Sequence, residues 1–412
     1  MNYNIIDIIN KKRMGLELTN EELQYAFNGY LAKNIEAYQM SALLMAICIN
    51  DMTDEEIFNL TEIFIQSGDV LDLSSIEGFK VDKHSTGGIG DKTTLVIAPI
   101  VGACGVKMAK MSGRGLGITG GTIDKLQSIP GFDVNLNIEN FIEQVKNINI
   151  ALSSQTAKLT PLDKVIYSLR DVTATVESIP LIAVSVMSKK IASGADKILI
   201  DIKLGKGALI KRAKDAARLE ELVIKIGKKY NREVRVIISD MNIPLGKNVG
   251  NSLEIIEAID ILKGKVKNHL LDLCVELSSN LVSMAKEITM EQARDEVLSV
   301  IKDGTAYKKF EEIILYQKGD LSRIKVSDKI VKIKSNKTGI IEKIDAYKIG
   351  IIARDLGAGR IEEKDIIDHS VGIVLNKTVG MSVKEGDILC YLYINDKSVY
   401  TENDVLNSYK IV

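Results

Sequence analysis

Cysteine is scarce in this chain, four residues in 412, and none has the company that cysteine chemistry requires. Cys48, Cys104, Cys274 and Cys390 lie far apart in apolar surroundings, with no CxxC pair and no neighbouring histidine. This argues against zinc and against a disulfide framework, and leaves buried, reduced thiols. Histidine is scarcer still: His84, His269 and His369 are isolated from one another in sequence. An excess of charge is also missing, with 54 basic residues against 55 acidic ones and a formal net charge of -1. No overall field therefore favours nucleic acid or an anionic membrane, and a small ligand is expected instead. The longest uncharged apolar run, residues 95–106, falls well short of the roughly 18 needed to span a bilayer. The stretch MNYNIIDIINKKRMG has its basic residues after the apolar ones and Asp7 among them, unlike a signal peptide, so a cytoplasmic enzyme is expected. No proline follows Pro244, and no low-complexity linker or repeat is found.

What is present is the mixture of a globular protein, 46% hydrophobic and 26% charged, over a length that calls for two or three domains. Residues 1–68 read as a helical domain, because apolar residues recur at helical spacing. Thr19 with Glu22 and Thr53 with Glu56 have the capping-box spacing, and Gly15 and Gly68 suit the stop positions. From Gly78 the pattern changes to short apolar runs, FKVDK, VKMAKM, NIALSS, KILIDIK and VRVIIS, which read as buried strands of a mostly parallel sheet with helices between them. The helical stretch 161–195 is expected to return to the first domain, and Thr289 is expected to cap one of the helices of 249–317. After Lys318 the texture suggests β-hairpins around one helix. The expected fold is α/β: a small helical domain (1–68, completed by about 161–195), a larger α/β domain (78–160 and 196–317), and a C-terminal α+β domain (328–412).

The densest chemical signal is KHSTGGIGDKTT, residues 83–94, between a strand and a helix. Three glycines in four residues let backbone N–H groups converge, and the following helix N-terminus adds positive partial charge, a combination that holds phosphate. Lys83 could add a full charge, and Ser85 and Thr94 hydroxyl donors. A second cluster, KMSGRGLGITGGTIDKL at 110–126, follows the next strand, with Ser112 and Thr122 at its ends. Loops after successive parallel strands face one sheet edge, where open α/β folds bind ligands, so the two suggest one phosphate held from two sides. Each feature alone has a plainer reading: turns for the glycines, helix capping for Ser112 and Thr122, a solvated charge for Lys83, and a hydrogen-bonded structural residue for His84.

These segments, with SGRGLGITGGTIDKLQSIPGF, LTPLDKVIYSLRDVTATVESIPLIAVSVMSKK and ISDMNIPLGKNVGNSLE, closely resemble the thymidine and pyrimidine nucleoside phosphorylases over nearly the whole chain. The resemblance implies phosphate at Lys83, Ser85, Thr94, Lys110, Ser112 and Thr122. It implies the pyrimidine ring at Arg170, Ser185 and Lys189, residues that sequence alone would leave as ordinary ones, and a proton donor or polariser at His84. It implies reversible phosphorolysis of uridine, thymidine and deoxyuridine to free base and pentose 1-phosphate, with phosphate as co-substrate, His84, Arg170 and Lys189 as the catalytic set, and a homodimer. It also implies a potassium site at Gly90, Lys92, Leu245, Asn248 and Glu257, made mostly of backbone carbonyls. Such residue types suit the reaction, because the sugar gains positive and the departing base negative charge while a phosphate anion is aimed at the anomeric carbon.

Three positions depart from the resemblance. Lys92 replaces a small residue, and its ammonium would compete with a cation if it turned inward. Ile118, between Gly117 and Thr119, replaces a histidine, and Gln127 replaces a glutamate. Lys110 in KMSGRG is more similar to the broad pyrimidine enzymes than to the strict thymidine ones. Other readings are a strict thymidine phosphorylase, an anthranilate-type phosphoribosyltransferase, which should lack the set Arg170, Ser185 and Lys189, and a nucleoside-binding protein without turnover. The turn VGMSVKEGDIL resembles biotinyl and lipoyl carriers, but the lysine of their hairpin motif is missing, so a domain that completes the fold is expected.

Overall fold

A computed structural model describes every residue except Met1, Asn2, Leu116, Gly117, Thr119, Ala157, Ile361 and Glu363. Part of the second glycine cluster, including both neighbours of Ile118, therefore lies outside the described residues. The chain begins with four helices, α1 (Ile5–Arg13), α2 (Asn20–Leu31), α3 (Ala37–Asn50) and α4 (Asp54–Gln66). Both expected capping boxes form: Thr19 and Thr53 each accept from the N–H three residues on, and Glu22 and Glu56 return the bond. Buried Glu56 does more, taking Lys12 Nζ at 2.8 Å and Leu18 N at 2.8 Å, which ties α1 to α4.

There follow β1 (Lys80–Ser85), α5 (Thr93–Ala103), β2 (Lys107–Ser112), α6 (Thr122–Gln127), α7 (Ile138–Ile148) and β3 (Ile150–Ser154). Next come α8 (Pro161–Asp171), α9 (Ile179–Ala192), β4 (Lys197–Leu204), α10 (Ala213–Lys229) and β5 (Glu233–Asp240). All five apolar runs form strands, and they make one sheet in the order β3-β2-β1-β4-β5. The β1/β2 and β2/β3 ladders are parallel. Strands β1 to β4 are buried on both faces, which is why they lack a polar–apolar alternation.

The chain continues through β6 (Asn248–Val249), α11 (Asn251–Leu262), α12 (His269–Lys286), α13 (Met290–Lys302) and α14 (Thr305–Tyr316). Thr289 caps α13 as expected. The C-terminal part holds β7 (Ile330–Lys334), β8 (Gly339–Ile344), α15 (Ala346–Ala353), β9 (Gly372–Leu375), β10 (Ser382–Val383), β11 (Ile388–Tyr393), α16 (Glu402–Leu406) and β12 (Tyr409–Ile411). Its pairing differs from the expected hairpins. Strand β7 pairs with β11 and β8 with β10 and β12, all antiparallel, so partners are distant in sequence. The apolar residues of both sheets close on one core with α15, and burying them together outweighs the shorter loops of hairpins.

The chain divides into two compact units. One comprises 1–75, 156–198 and 213–236, so α8, α9 and α10 group with α1–α4, and α4 packs on α9. The other comprises 76–155, 199–212 and 237–412. The fold class read from sequence is borne out: a helical part, an α/β part built on a parallel sheet, and a C-terminal part with antiparallel sheets. Among the described residues no helix is long and apolar enough to cross a membrane, and no group of three metal-ligating His, Cys, Asp or Glu side chains occurs. All four cysteines are free.

Candidate active site

In the larger unit, β1 carries Asp82 and Lys83 into the interior, and both are buried. The strand ends at Ser85, and the chain then turns through Gly87 (φ 87°) and Gly90 (φ 73°), a left-handed backbone that favours glycine. At Gly88 a Cβ would lie 2.5 Å from the Met241 side chain, which would have to move aside. The turn is pinned to β4 by two bonds, Thr86 N to Asp201 O at 3.1 Å and Lys203 N to Thr86 Oγ1 at 2.8 Å.

Around this turn the side chains form a continuous network. Lys83 Nζ donates to Thr93 Oγ1 at 2.6 Å and meets Asp201 at 3.1 Å. Thr93 in turn donates to Asp91 from its hydroxyl at 2.6 Å and its backbone N–H at 3.1 Å, and the Ser85 hydroxyl also donates to Asp91. Asp201 pairs with Lys203 at 2.7 Å, and Ser239 bridges the two. Burial opposes the Asp91 charge, yet Lys83, Lys203 and Lys125 outweigh it and hold the carboxyl well below its ordinary range. Burial likewise opposes the Lys83 charge, and Asp91 and Asp201 keep its pKa above the ordinary value.

The second loop is built in the same way. Lys110, on β2, donates to the Lys83 carbonyl at 2.5 Å and meets Asp82 at 3.1 Å. Ser112 ends β2 and Thr122 opens α6, so the two mark the ends of the loop. Asp124 gathers the loop by accepting from Gly115 N at 2.7 Å, Gly121 N at 3.0 Å and Arg360 at 2.8 Å. Ile118 packs at the edge of the C-terminal core, where a Cβ on Gly350 would meet it at 3.5 Å; a histidine there would lose this apolar contact. Thr94 stands in the first turn of α5, which begins without a side-chain cap. His84 is half-buried on β1 between Lys83 and Ser85.

Each lysine of the network has a carboxylate: Asp201 for Lys83 and Lys203, Asp82 for Lys110, Glu254 for Lys125. The network therefore carries no surplus lysine charge.

The residues expected to hold potassium do come together, but with a lysine among them. Lys92 Nζ donates to the Leu245 carbonyl at 2.6 Å and meets Glu257 Oε2 at 2.9 Å. A potassium ion does not fit this donor set while that ammonium is in it.

In the helical unit, α8 and α9 place the residues expected at the base. Lys189 Nζ donates to Asp163 at 2.7 Å and to Ser185 Oγ at 3.0 Å. Ser185 and Lys189 lie one helical turn apart on α9, so they share a face. Arg170 is buried and donates to the backbone carbonyls of Thr175 at 3.1 Å, Val176 at 2.8 Å and Leu181 at 3.2 Å. Burial lowers its pKa from the ordinary value. Its guanidinium thus organises the turn between α8 and α9, with donors left over.

Several partners escaped sequence reasoning: Asp91, Asp201, Lys203, Lys125 and Asp163. A signal existed for Asp201 and Lys203, which sit two apart in the otherwise apolar run ILIDIKL and so face the same side of the sheet. Nothing local marks Asp163, which sits among ordinary helix residues.

The family to which the larger and helical parts correspond is that of glycosyltransferases of the pentosyl-transferring kind. Residues 77–307 match the glycosyl transferase family a/b domain, and residues 6–68 its helical bundle domain. The fold is also that of anthranilate phosphoribosyltransferase from Thermus thermophilus, with a TM-score of 0.60 over 76% of this chain and 99% of that one, at 17% identity. Residues 340–412 match the pyrimidine nucleoside phosphorylase C-terminal domain. Proteins named pyrimidine-nucleoside phosphorylase from Bacillus subtilis (strain 168) and Geobacillus stearothermophilus are each 48% identical over 402 residues, covering 96% of this chain and 93% of theirs. The chain belongs to the pyrimidine nucleoside phosphorylase family.

Proposed function

We propose that this enzyme catalyses reversible phosphorolysis of uridine, thymidine and deoxyuridine, yielding the free base and the pentose 1-phosphate. Lys83, Ser85, Thr94, Lys110, Ser112 and Thr122 orient the phosphate, and one of its oxygens attacks the anomeric carbon. The bond from that carbon to the ring nitrogen breaks, and the electron pair leaves with the base. Arg170, Ser185 and Lys189 hold the pyrimidine and stabilise the negative charge it gains, and His84 donates to a ring oxygen. The breadth of substrate follows from Lys110 and its surroundings.

One observation carries the reading: the cluster of Lys189, Ser185 and Asp163 next to the collared Arg170. A plain phosphate-holding α/β fold has no use for it, whereas a leaving pyrimidine needs aimed cations. We propose further that the enzyme works as a homodimer through the helical unit, where Tyr38, Met45 and Ile49 of α3 are exposed.

The experiment is base release from uridine, thymidine and deoxyuridine, with and without inorganic phosphate. Phosphate-dependent release of uracil or thymine is expected. Release from none of the three would overturn the reading, and release from thymidine and deoxyuridine but not uridine would replace it with a strict thymidine-type enzyme.

A further inference from the structure

The segment after Gly90 is held by a buried cation that belongs to the chain itself. Lys92 is the residue just before α5, between Asp91 and Thr93; Thr93 accepts from Lys83 and itself donates to Asp91. Its side chain is fully buried, and Nζ lies 2.6 Å from Leu245 O and 2.9 Å from Glu257 Oε2. Glu257 is committed on its other sides, accepting from Lys247 N at 2.8 Å, Asn248 N at 2.9 Å and Asn268 Nδ2 at 3.3 Å. Burial opposes its charge, but Lys92 and the two backbone N–H groups keep its pKa below the ordinary value. A Cβ on Gly90 would lie 2.8 Å from Leu245 O, 3.4 Å from Lys92 Nζ and 3.5 Å from Asn248 O, so this glycine is needed to let the ammonium and the two carbonyls approach. One carboxylate faces one ammonium, and the charge is balanced without an added ion.

We propose that Lys92 is a tethered replacement for a monovalent cation: its ammonium fills the cradle of Leu245, Asn248 and Glu257, and the protein needs no potassium. The tether makes the stapling of the first glycine loop to the 245–248 segment and to α11 intramolecular. It requires no ion concentration to persist. A dissociable ion would leave the loop ordered only in proportion to its occupancy, whereas Lys92 orders it whenever the chain is folded. Lys92 is a positioning residue, acting on phosphate through Asp91, Thr93 and Lys83. The inference concerns the fold around this loop and does not depend on which nucleoside is cleaved.

The test measures thermal unfolding and the KM for phosphate in potassium, sodium and tetramethylammonium chloride at equal ionic strength. For the unmodified protein the three salts should give the same midpoint and the same KM. A midpoint or rate raised by potassium alone would overturn the proposal. Lys92→Thr empties the cradle, and should show a lowered midpoint and a KM for phosphate raised about tenfold in tetramethylammonium, each restored by potassium. Lys92→Met fills the space without charge, and should be lowered in all three salts. If Lys92→Thr is indifferent to potassium, the cradle is not a cation site and the proposal fails. Should that variant not fold, crystals of the unmodified protein soaked in thallium(I) decide: an anomalous peak beside Glu257 overturns the proposal, and none there upholds it. The unfolding and thallium readouts need no turnover, so they stand even if no nucleoside is cleaved.

Discussion

Lys125 donates to the carbonyl of Asp91 at 2.7 Å, and with the same ammonium to the carbonyl of Gly120 at 2.9 Å. One side chain thus joins the two glycine loops, and its charge is met by Glu254 at 3.1 Å. The loops are therefore a single structural object, although 34 residues separate Lys125 from Asp91.

Removing that joint should be expensive. Both Lys125 and Glu254 are buried, so Lys125→Met leaves a carboxylate without its cation and should cost about 3–5 kcal/mol. The urea midpoint measures the loss, and adding Glu254→Gln to the same chain should recover part of it. An unchanged midpoint in Lys125→Met would show that the loops are held by something else.

The two cation sets should separate kinetically. Lys189→Ala should lower kcat/KM for uridine by on the order of 100-fold, about 3 kcal/mol, with little change in the KM for phosphate. Lys83→Ala should act through phosphate. Equal effects of both variants on both substrates would contradict the division of labour.

Arg170 has a structural duty that Lys189 lacks. Three of its N–H groups satisfy carbonyls of the 175–181 segment, so Arg170→Ala should destabilise the fold by roughly 3 kcal/mol, at about 1 kcal/mol for each bond. Arg170→Lys should recover little, because a single ammonium cannot span three diverging acceptors. Denaturant titration of the two variants decides.

The pH dependence of stability has a defined sign at each end. Asp91 has its pKa held well below 3.8 in the folded chain, so its contribution is complete above that value and is lost as the pH falls below it. Lys83 has its pKa raised above 10.5, so its contribution is complete below that value and is lost as the pH climbs past it. Stability should be level in this respect between about pH 5 and 9 and fall on both sides. Asp91→Asn should be less stable than the parent at pH 7 by urea midpoints, and the gap should start to narrow only as the pH falls below about 4; a gap that stays constant between about pH 5 and about pH 2 would rule out Asp91 as a source of the acid limb.

Thiol chemistry should single out one cysteine. Burial pushes Cys104, Cys274 and Cys390 up to about 12, so they stay protonated and shielded, whereas Cys48 is half-buried and its thiol faces the Thr175 carbonyl at 3.7 Å. A disulfide reagent should label Cys48 alone, slowly, in the native protein and all four thiols in denaturant. Fast labelling of two or more native thiols would contradict this.

What the sequence made readable was local. The five strands, the caps at Thr19, Thr53 and Thr289, and the first glycine turn follow from patterns within a few residues. The partners were harder. Asp163 comes to Lys189 across 26 positions and Asp201 to Lys83 across far more, and no periodicity encodes which carboxylate a buried lysine will meet. The C-terminal strands show the same limit: turns between them are visible in sequence, but β8 finds β12 rather than its neighbour because the shared apolar core selects the pairing. Lys92 lay between the two cases. Its identity was plainly out of place, but whether it pointed inward depended on Leu245 and Glu257, more than 150 positions away.

The innermost ion pair of the loop network is shut away from the medium. Mobile ions weaken pairs such as Lys329 with Asp396 at the surface, but they cannot enter between Lys203 and Asp201, neither of which is exposed. Added salt should thus loosen the periphery while the first glycine loop keeps its shape. The geometry proposed to receive the anion is cast when the chain folds, before any guest arrives.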